Sequence, residues 1–365
     1  MKQASIAFDH ASEAVGIDRV HGGAVRDGVI DFSISVNPLG PPAVALEAFH
    51  AAAAQIASYP SPYPRLLEQQ IAAWLKLDPA CVLAANGSTQ LIYLIPRAIG
   101  LHRPLVVIPT FSEIANALIA SGAQPSALRT SLAQGCAIDP DAIGAAIRVG
   151  TDAIFFGRPN SPTGTMLTLE AAADIARECA AHDAWCIVDE AFIDFVEDAE
   201  SLTSIVNSNR RLIVLRSLTK VFAIPGLRLG YAVAHPEVIA RLRNMIEPWS
   251  VSIVAERVAS ACLKAADDFI HSTRELIAIE RAYLSDSLSG LAGITVAPAV
   301  ANFFMIEVAA EKSVGAFGRH LLDRGIAIRD LSTLPGCGAG FYRIGIRQHP
   351  DNQRLMQAAR QWRGA

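Results

Sequence analysis

Short apolar runs alternate with amphipathic stretches over most of the chain. CVLAAN (81–86), LVVIP (105–109), AIFFG (153–157), WCIVDE (185–190), RLIVLRS (211–217) and LGYAVA (229–234) are apolar almost throughout, which predicts short strands buried on both faces. Between them, STQLIYLIPRAIG (88–100), SEIANALIASG (112–122) and LEAAADIARECAAHD (169–183) repeat their apolar residues at helical spacing. Strand alternating with helix predicts a mostly parallel sheet covered by helices on both faces. Upstream, PPAVALEAFHAAAAQIA (41–57) and RLLEQQIAAWLK (65–76) predict two helices joined by the proline-rich turn SYPSPYP. Beyond residue 249 the pattern changes. A long helical stretch (252–290) leads to the strands ITVAP, NFFMIEV and FYRIGIR and the helix VGAFGRHLLDRG, a smaller α+β unit.

A chain of 365 residues exceeds the size at which one hydrophobic core stops growing, so two domains sharing a cleft are expected. Hydrophobic residues make up 52% of it, yet no apolar run approaches the roughly 18 residues of a membrane span. The opening MKQASIAFDHASEAVG lacks a continuous apolar segment, so a cytoplasmic protein is expected. The six cysteines form no CxxC pair and read as reduced, packed thiols, and the nine histidines form no metal motif. A formal charge of −4 with both signs dispersed offers no footprint for nucleic acid. A small-molecule partner is the expectation.

In open α/β sheets ligands collect where strands end and helices begin. Four such edges carry polar residues. Asn86-Gly87-Ser88-Thr89 combines a glycine that allows close approach with two hydroxyls suited to phosphate; the same residues also make an ordinary helix-start turn. Gly157-Arg158-Pro159-Asn160-Ser161-Pro162-Thr163-Gly164 specifies a rigid turn presenting Asn160 and Ser161, whether for a ligand or for the turn itself. Asp189-Glu190 closes an apolar strand, where a carboxylate holds a cationic ligand atom, binds a metal or caps a helix. In RSLTKVFAIPGLRLGY (216–231), Lys220 lies between Ser217 and Arg228, and the apolar residues after it argue against an exposed loop.

Together the edges supply an amine for an imine, a phosphate cup, a carboxylate and a polar turn, the parts that hold pyridoxal phosphate. Lys220 offers the amine, and Asp189 keeps the pyridine nitrogen protonated so that the ring acts as an electron sink. Ser88, Thr89, Ser217 and Arg228 cover the phosphate, and Phe111, on the turn after LVVIP, stacks on the ring.

These four motifs, in this order and over nearly the whole chain, resemble the fold-type I pyridoxal-phosphate enzymes of the aspartate aminotransferase superfamily. The resemblance implies a large domain (49–248) with a mostly parallel seven-stranded sheet, a small C-terminal domain (249–365), and an N-terminal segment (1–48) packing with the small domain. It implies a homodimer with shared active sites, Tyr59 reaching the phosphate of the other subunit's cofactor. It implies that Arg329 and Arg343 bind substrate carboxylate or phosphate, as the planar guanidinium suits both. His21, Gly22 and Asn302 are implied as pocket residues.

Two branches of that superfamily share this core. Histidinol-phosphate aminotransferases usually read DEAY, whose tyrosine bonds the cofactor's phenolic oxygen; Phe192 stands in that place here. The threonine-phosphate decarboxylase branch is more similar, through His21-Gly22-Gly23, DFSISVNPLGPP, DEAFIDF and EPWSVSIVAE. Family members usually carry Asn immediately before Pro-Thr-Gly. This chain has Ser161 there and Asn160 one place earlier, so either Ser161 is a shorter donor to the phenolic oxygen or Asn160 shifts into reach. Ser88 and Ala24 replace a glutamate and an asparagine of the decarboxylase branch. The expected reaction is loss of CO2 from L-threonine O-3-phosphate to give (R)-1-amino-2-propanol O-2-phosphate in cobalamin biosynthesis, with Lys220 returning the proton. The alternative is transamination of histidinol phosphate or a related amino acid.

Overall fold

The computed structural model describes residues 18, 20–23, 27–309 and 313–363; Ala24 and residues 1–17 of the N-terminal segment lie outside these. Seven strands form the large sheet: β1 (Val82–Ala85), β2 (Pro104–Ile108), β3 (Ser126–Arg129), β4 (Ala153–Gly157), β5 (Trp185–Asp189), β6 (Leu212–Ser217) and β7 (Gly230–Ala234). Their spatial order is β1-β7-β6-β5-β4-β2-β3. β7 runs antiparallel to both neighbours and every other pairing is parallel.

Successive side chains of a strand point to opposite faces, and here both faces are buried. Phe155, Ile187, Ile213 and Leu215 join one apolar core, whereas Ile154, Phe156, Val188 and Val214 join another. This explains why the strands read as continuous rather than alternating apolar runs. Five helices precede the middle of the sheet: α1 (Ala43–Ala52), α2 (Arg65–Leu75), α3 (Gly87–Ile99), α4 (Ser112–Ala120) and α5 (Pro140–Arg148). They are followed by α6 (Leu169–Ala181), the one-turn α7 (Leu218–Val221) and α8 (Pro236–Arg243). Leu91, Ile92 and Ile95 of α3 pack in the first core; Ala172, Ile175 and Cys179 of α6 pack in the second.

Three details differ from the apolar pattern. β3 is an edge strand whose residues are half-buried or exposed, so it has no apolar run to announce it. The first helix stops at Ala52 and passes into a single 3₁₀ turn. The long C-terminal helical stretch breaks at Ala265, which leaves helical geometry (φ −112, ψ 17), giving α9 (Ile253–Lys264) and α10 (Ala266–Ser289).

The smaller sheet contains β8 (Ile294–Val296), β9 (Phe303–Val308), β10 (Arg329–Asp330) and β11 (Phe341–Gly345), antiparallel in the order β10-β11-β9-β8. Helices α11 (Ala316–Leu322) and α12 (His349–Ala359) accompany it, and Ile30–Asp31 pairs in parallel with Ile326–Ala327. All six cysteines are free thiols, five of them buried. No described helix is long and apolar enough to cross a membrane.

Candidate active site

A cavity of about 890 Å³ opens at the C-terminal edge of the parallel strands, bounded by the start of α3 and by β10 and β11. It is lined by His21, Gly22, Gly87, Ser88, Thr89, Phe111, Ser161, Asp189, Phe192, Ser217, Lys220, Arg228, Arg329 and Arg343, residues from all four edges and both sheets. β5 ends on Asp189 and β6 on Ser217, and α7 carries Lys220 one turn further.

The Lys220 amine makes no hydrogen bond or ion pair among the described residues; its Nζ lies 5.8 Å from the Phe192 ring centroid. Burial, reinforced by the Arg343 and Arg228 guanidiniums, pulls its amine down to about 8, with Asp189 opposing the fall. Burial pushes the Asp189 carboxyl up to about 6, against the Ala191 N–H, which donates to it at 3.0 Å, and against the charge of Lys220. An amine and a carboxylate are thus both poised near neutrality in one cavity.

The corner of the cavity at the start of α3 has a steric logic. Gly87 adopts φ +77, and a Cβ there would approach Arg228 Nη2 to 2.8 Å, so the α3 N-terminus and the guanidinium meet only because the residue is glycine. Asn86 precedes the helix without a side-chain cap, leaving the first amides of α3 to the cavity. Gly230 brings β7 equally close, since a Cβ would lie 2.3 Å from the Ser88 nitrogen. Arg228, itself in the left-handed region at φ 54, donates to the Pro225 carbonyl at 3.1 Å. The Ser217 and Thr219 hydroxyls bond each other at 2.7 Å.

On the other wall Phe111 caps the start of α4, and Phe192 packs edge-on against Phe303 with centroids 4.8 Å apart. Arg343 donates to Ser161 Oγ at 3.0 Å and to the Ser33 carbonyl at 2.8 Å, while its buried Nε has no partner. Burial, then the Arg329 charge, lower the Arg343 guanidinium to about 10. Arg329 stands directly opposite Arg343 across β10 and β11. It donates to the Val20 carbonyl and lies 3.7 Å from the Asp18 carboxylate.

Three expected site residues do not line this cavity. Asn160 is buried in its own turn: its amide donates to the Pro109 carbonyl at 2.9 Å and to Thr163 at 3.0 Å, and its oxygen accepts from Thr110 at 3.0 Å. Of the two candidates for the phenolic oxygen, only Ser161 faces the cavity. Asn302 is fully buried with neither amide atom hydrogen-bonded. Tyr59 is 85% exposed and packs on Trp249 with centroids 5.8 Å apart.

The pattern of edges missed Glu113, which accepts from His21 at 2.9 Å, Tyr93 at 2.6 Å and Asn116 at 3.1 Å and lines the cavity. Its position two residues after Phe111, in the first turn of α4, was the available signal. Asp31 and Ser33 also line the cavity, linked by a 2.6 Å hydrogen bond.

Residues 27–360 match the family model described as aminotransferase class I and II. The chain is 32% identical to a threonine-phosphate decarboxylase of Salmonella typhimurium, covering 93% of this chain and 95% of the relative. It is 34% identical to a histidinol-phosphate aminotransferase of Thermobifida fusca, covering 81% of each. Among solved structures, the histidinol-phosphate aminotransferase from Clostridium acetobutylicum superposes with a TM-score of 0.83 at 26% identity, over 90% of this chain and 97% of that one. The chain belongs to the class I and II aminotransferase family and is a pyridoxal 5′-phosphate-dependent enzyme of the fold-type I architecture.

Proposed function

We propose that the enzyme decarboxylates L-threonine O-3-phosphate to (R)-1-amino-2-propanol O-2-phosphate, the cobalamin-pathway reaction, in the cytoplasm. The observation that carries this reading is the facing pair Arg329 and Arg343 in the cavity wall. Like charges directly opposite one another in a sheet are destabilising, so the pair calls for anions. Threonine phosphate brings two, a carboxylate and a phosphate; histidinol phosphate brings only the phosphate, and in the alternative two anions enter together only with the co-substrate 2-oxoglutarate. The relationship to the Salmonella decarboxylase supports the same choice.

The residues present fit the cofactor. Lys220 offers an uncommitted amine, Asp189 a carboxylate for the pyridine nitrogen, and Gly87, Ser88, Thr89, Ser217 and Arg228 a cup for the phosphate. Phe111 provides an apolar ring face. Ser161 is the polar side chain nearest in role to the family's asparagine, and Phe192 provides contact without a hydroxyl. When bound, the cofactor supplies an electron sink for the pair left as CO2 departs. Arg343, held by Ser161 and the Ser33 carbonyl, and Arg329 orient the substrate's anions and so select the bond that breaks. Lys220 returns a proton to Cα.

Transamination of histidinol phosphate is the second reading, supported by the Thermobifida and Clostridium relatives. The test supplies threonine phosphate and measures CO2 and aminopropanol phosphate, then supplies histidinol phosphate with 2-oxoglutarate and measures glutamate. Product in the first assay is expected; product only in the second reverses the assignment.

The same reading includes a homodimer and the three-part division at residues 48/49 and 248/249. The pairing of Ile30–Asp31 with Ile326–Ala327 supports an N-terminal segment tied to the smaller domain. Exposed Ile56, Tyr59, Leu66 and Trp249 form an apolar surface around the Tyr59 turn, which supports an interface there. Sedimentation at the mass of two chains is the expected result, and a stable monomer that retains full activity would remove Tyr59 from the site.

A further inference from the structure

Behind the cavity lies a buried charge network that the proposed chemistry does not use. By strand alternation, Gly157, Asp189 and Ser217 end β4, β5 and β6 on the face of Phe155, Ile187 and Leu215. The adjoining Arg158, Glu190 and Arg216 therefore project to the opposite face, that of Phe156, Val188 and Val214. There they meet. Glu190, with no exposed surface, accepts from Arg158 Nη1 at 3.0 Å, from the Leu202 N–H at 3.1 Å and from Ser201 Oγ, and lies 4.0 Å from Arg216 Nη1. Arg216 donates to Asp194 at 2.6 Å and to Ser201 Oγ at 3.2 Å. Arg158 also donates to the Leu167 and Glu200 carbonyls at 3.0 and 2.8 Å.

Two guanidiniums and two carboxylates here balance in sign. As a source of stability such a network is poor, because well-packed apolar residues commonly serve as well or better. Its placement is informative instead. Glu190 and Arg216 adjoin, in sequence, the cavity-lining Asp189 and Ser217, and the backbone ties the strand ends together: Arg158 N–H donates to the Asp189 carbonyl and Glu190 N–H to the Leu215 carbonyl, both at 2.8 Å.

We propose that Arg158, Glu190 and Arg216 are positioning residues that fix the spacing and the local charge of the strand ends presenting Asp189, Ser217 and Lys220 to the cofactor. The proposal rests on the pyridoxal-phosphate chemistry of the family and not on which substrate is turned over. Asp189 is faced by Lys220 and Glu190, and Lys220 by Arg343, Arg228 and Asp189. The remaining charged groups on the cavity wall are Asp31, Glu113, Arg329 and, when protonated, His21.

The readout is the pH midpoint of the visible absorbance of the cofactor-loaded enzyme, measured without substrate. Glu190→Gln keeps the shape and deletes one negative charge behind the site. The protonated, cationic form of the bound cofactor is then less favoured, and the midpoint falls by about one pH unit, tenfold in proton affinity. Arg216→Gln deletes a positive charge, and the midpoint rises. A network that serves only as scaffold would lower Tm and leave both midpoints in place, or move both in one direction; either result overturns the proposal. Should Arg216→Gln not fold, Arg158→Gln removes a cation from the other side of Glu190 and carries the same expected rise. Should neither arginine variant fold, Glu190→Gln decides alone, an unchanged midpoint counting against the proposal. Because no substrate enters the measurement, failure here is separable from failure of the decarboxylase reading.

Discussion

Lys220→Ala is expected to leave a folded protein without the visible absorbance of lysine-bound cofactor and with turnover lowered about 10,000-fold. The side chain lies beside a cavity and holds no structural hydrogen bond, so its removal costs the fold little while removing both the cofactor's anchor and the proposed proton donor. The unmodified enzyme supplies the control. An amine reacts as its free base, and Lys220 is held near 8 by burial and by Arg343 and Arg228. The rate at which cofactor-free protein takes up pyridoxal phosphate should therefore rise with pH and level off above about 8. A lysine with its ordinary value of 10.5 would still be gaining reactivity there. A Lys220→Ala protein that keeps the absorbance of lysine-bound cofactor, or an uptake rate still climbing steeply at pH 9.5, would remove Lys220 from this role.

Asp189→Asn is expected to lower turnover by about 100- to 1,000-fold, the scale of losing one preorganised electrostatic partner. Two further changes of definite sign accompany it. Asp189 stabilises the Lys220 ammonium, so its loss favours the free base and moves the uptake profile to lower pH. Its own carboxyl, raised by burial from 3.8 to about 6, also opposes folding at neutral pH. A group whose folded value lies above its unfolded value contributes fully below the unfolded value and loses that contribution as pH rises through the folded one. At 1.36 kcal/mol per tenfold change, this amounts to about 3 kcal/mol above pH 6 in the absence of cofactor. Cofactor-free Asp189→Asn should consequently melt higher than the parent at pH 8 and no higher at pH 4. An unchanged uptake profile and an unchanged melting temperature at pH 8 would show that Asp189 carries no such electrostatic load.

Much of this site is legible from local pattern because its main residues sit where an apolar strand stops and a helix begins. Asp189, Ser217 and Gly87 each mark such a boundary. What escapes that pattern depends on contacts distant in sequence. β3 is half-exposed and gains its identity only by pairing with β2. Asn160 and Ser161 are neighbours in one turn, and their different orientations follow from the hydrogen bonds of Asn160 to Pro109 and Thr110, about fifty residues away. The mutual contacts of Arg158, Glu190 and Arg216 emerge only when the strand ends are laid side by side. The role of Glu113 depends on a histidine 92 residues earlier in the chain.

The Asp18 carboxylate beside Arg329 has a kinetic and selective consequence. Being tethered, it competes for the guanidinium at an effective concentration of millimolar order, whatever the dilution of the protein. A free anion binding Arg329 must displace it or share the site, and free carboxylates at lower concentrations are at a disadvantage. A ligand that anchors itself elsewhere in the cavity first, through its amine or through Arg343, presents its second anion intramolecularly and meets Asp18 on equal terms. If Arg329 binds a substrate anion as proposed, the contact would filter for molecules that carry two anionic groups at a set separation.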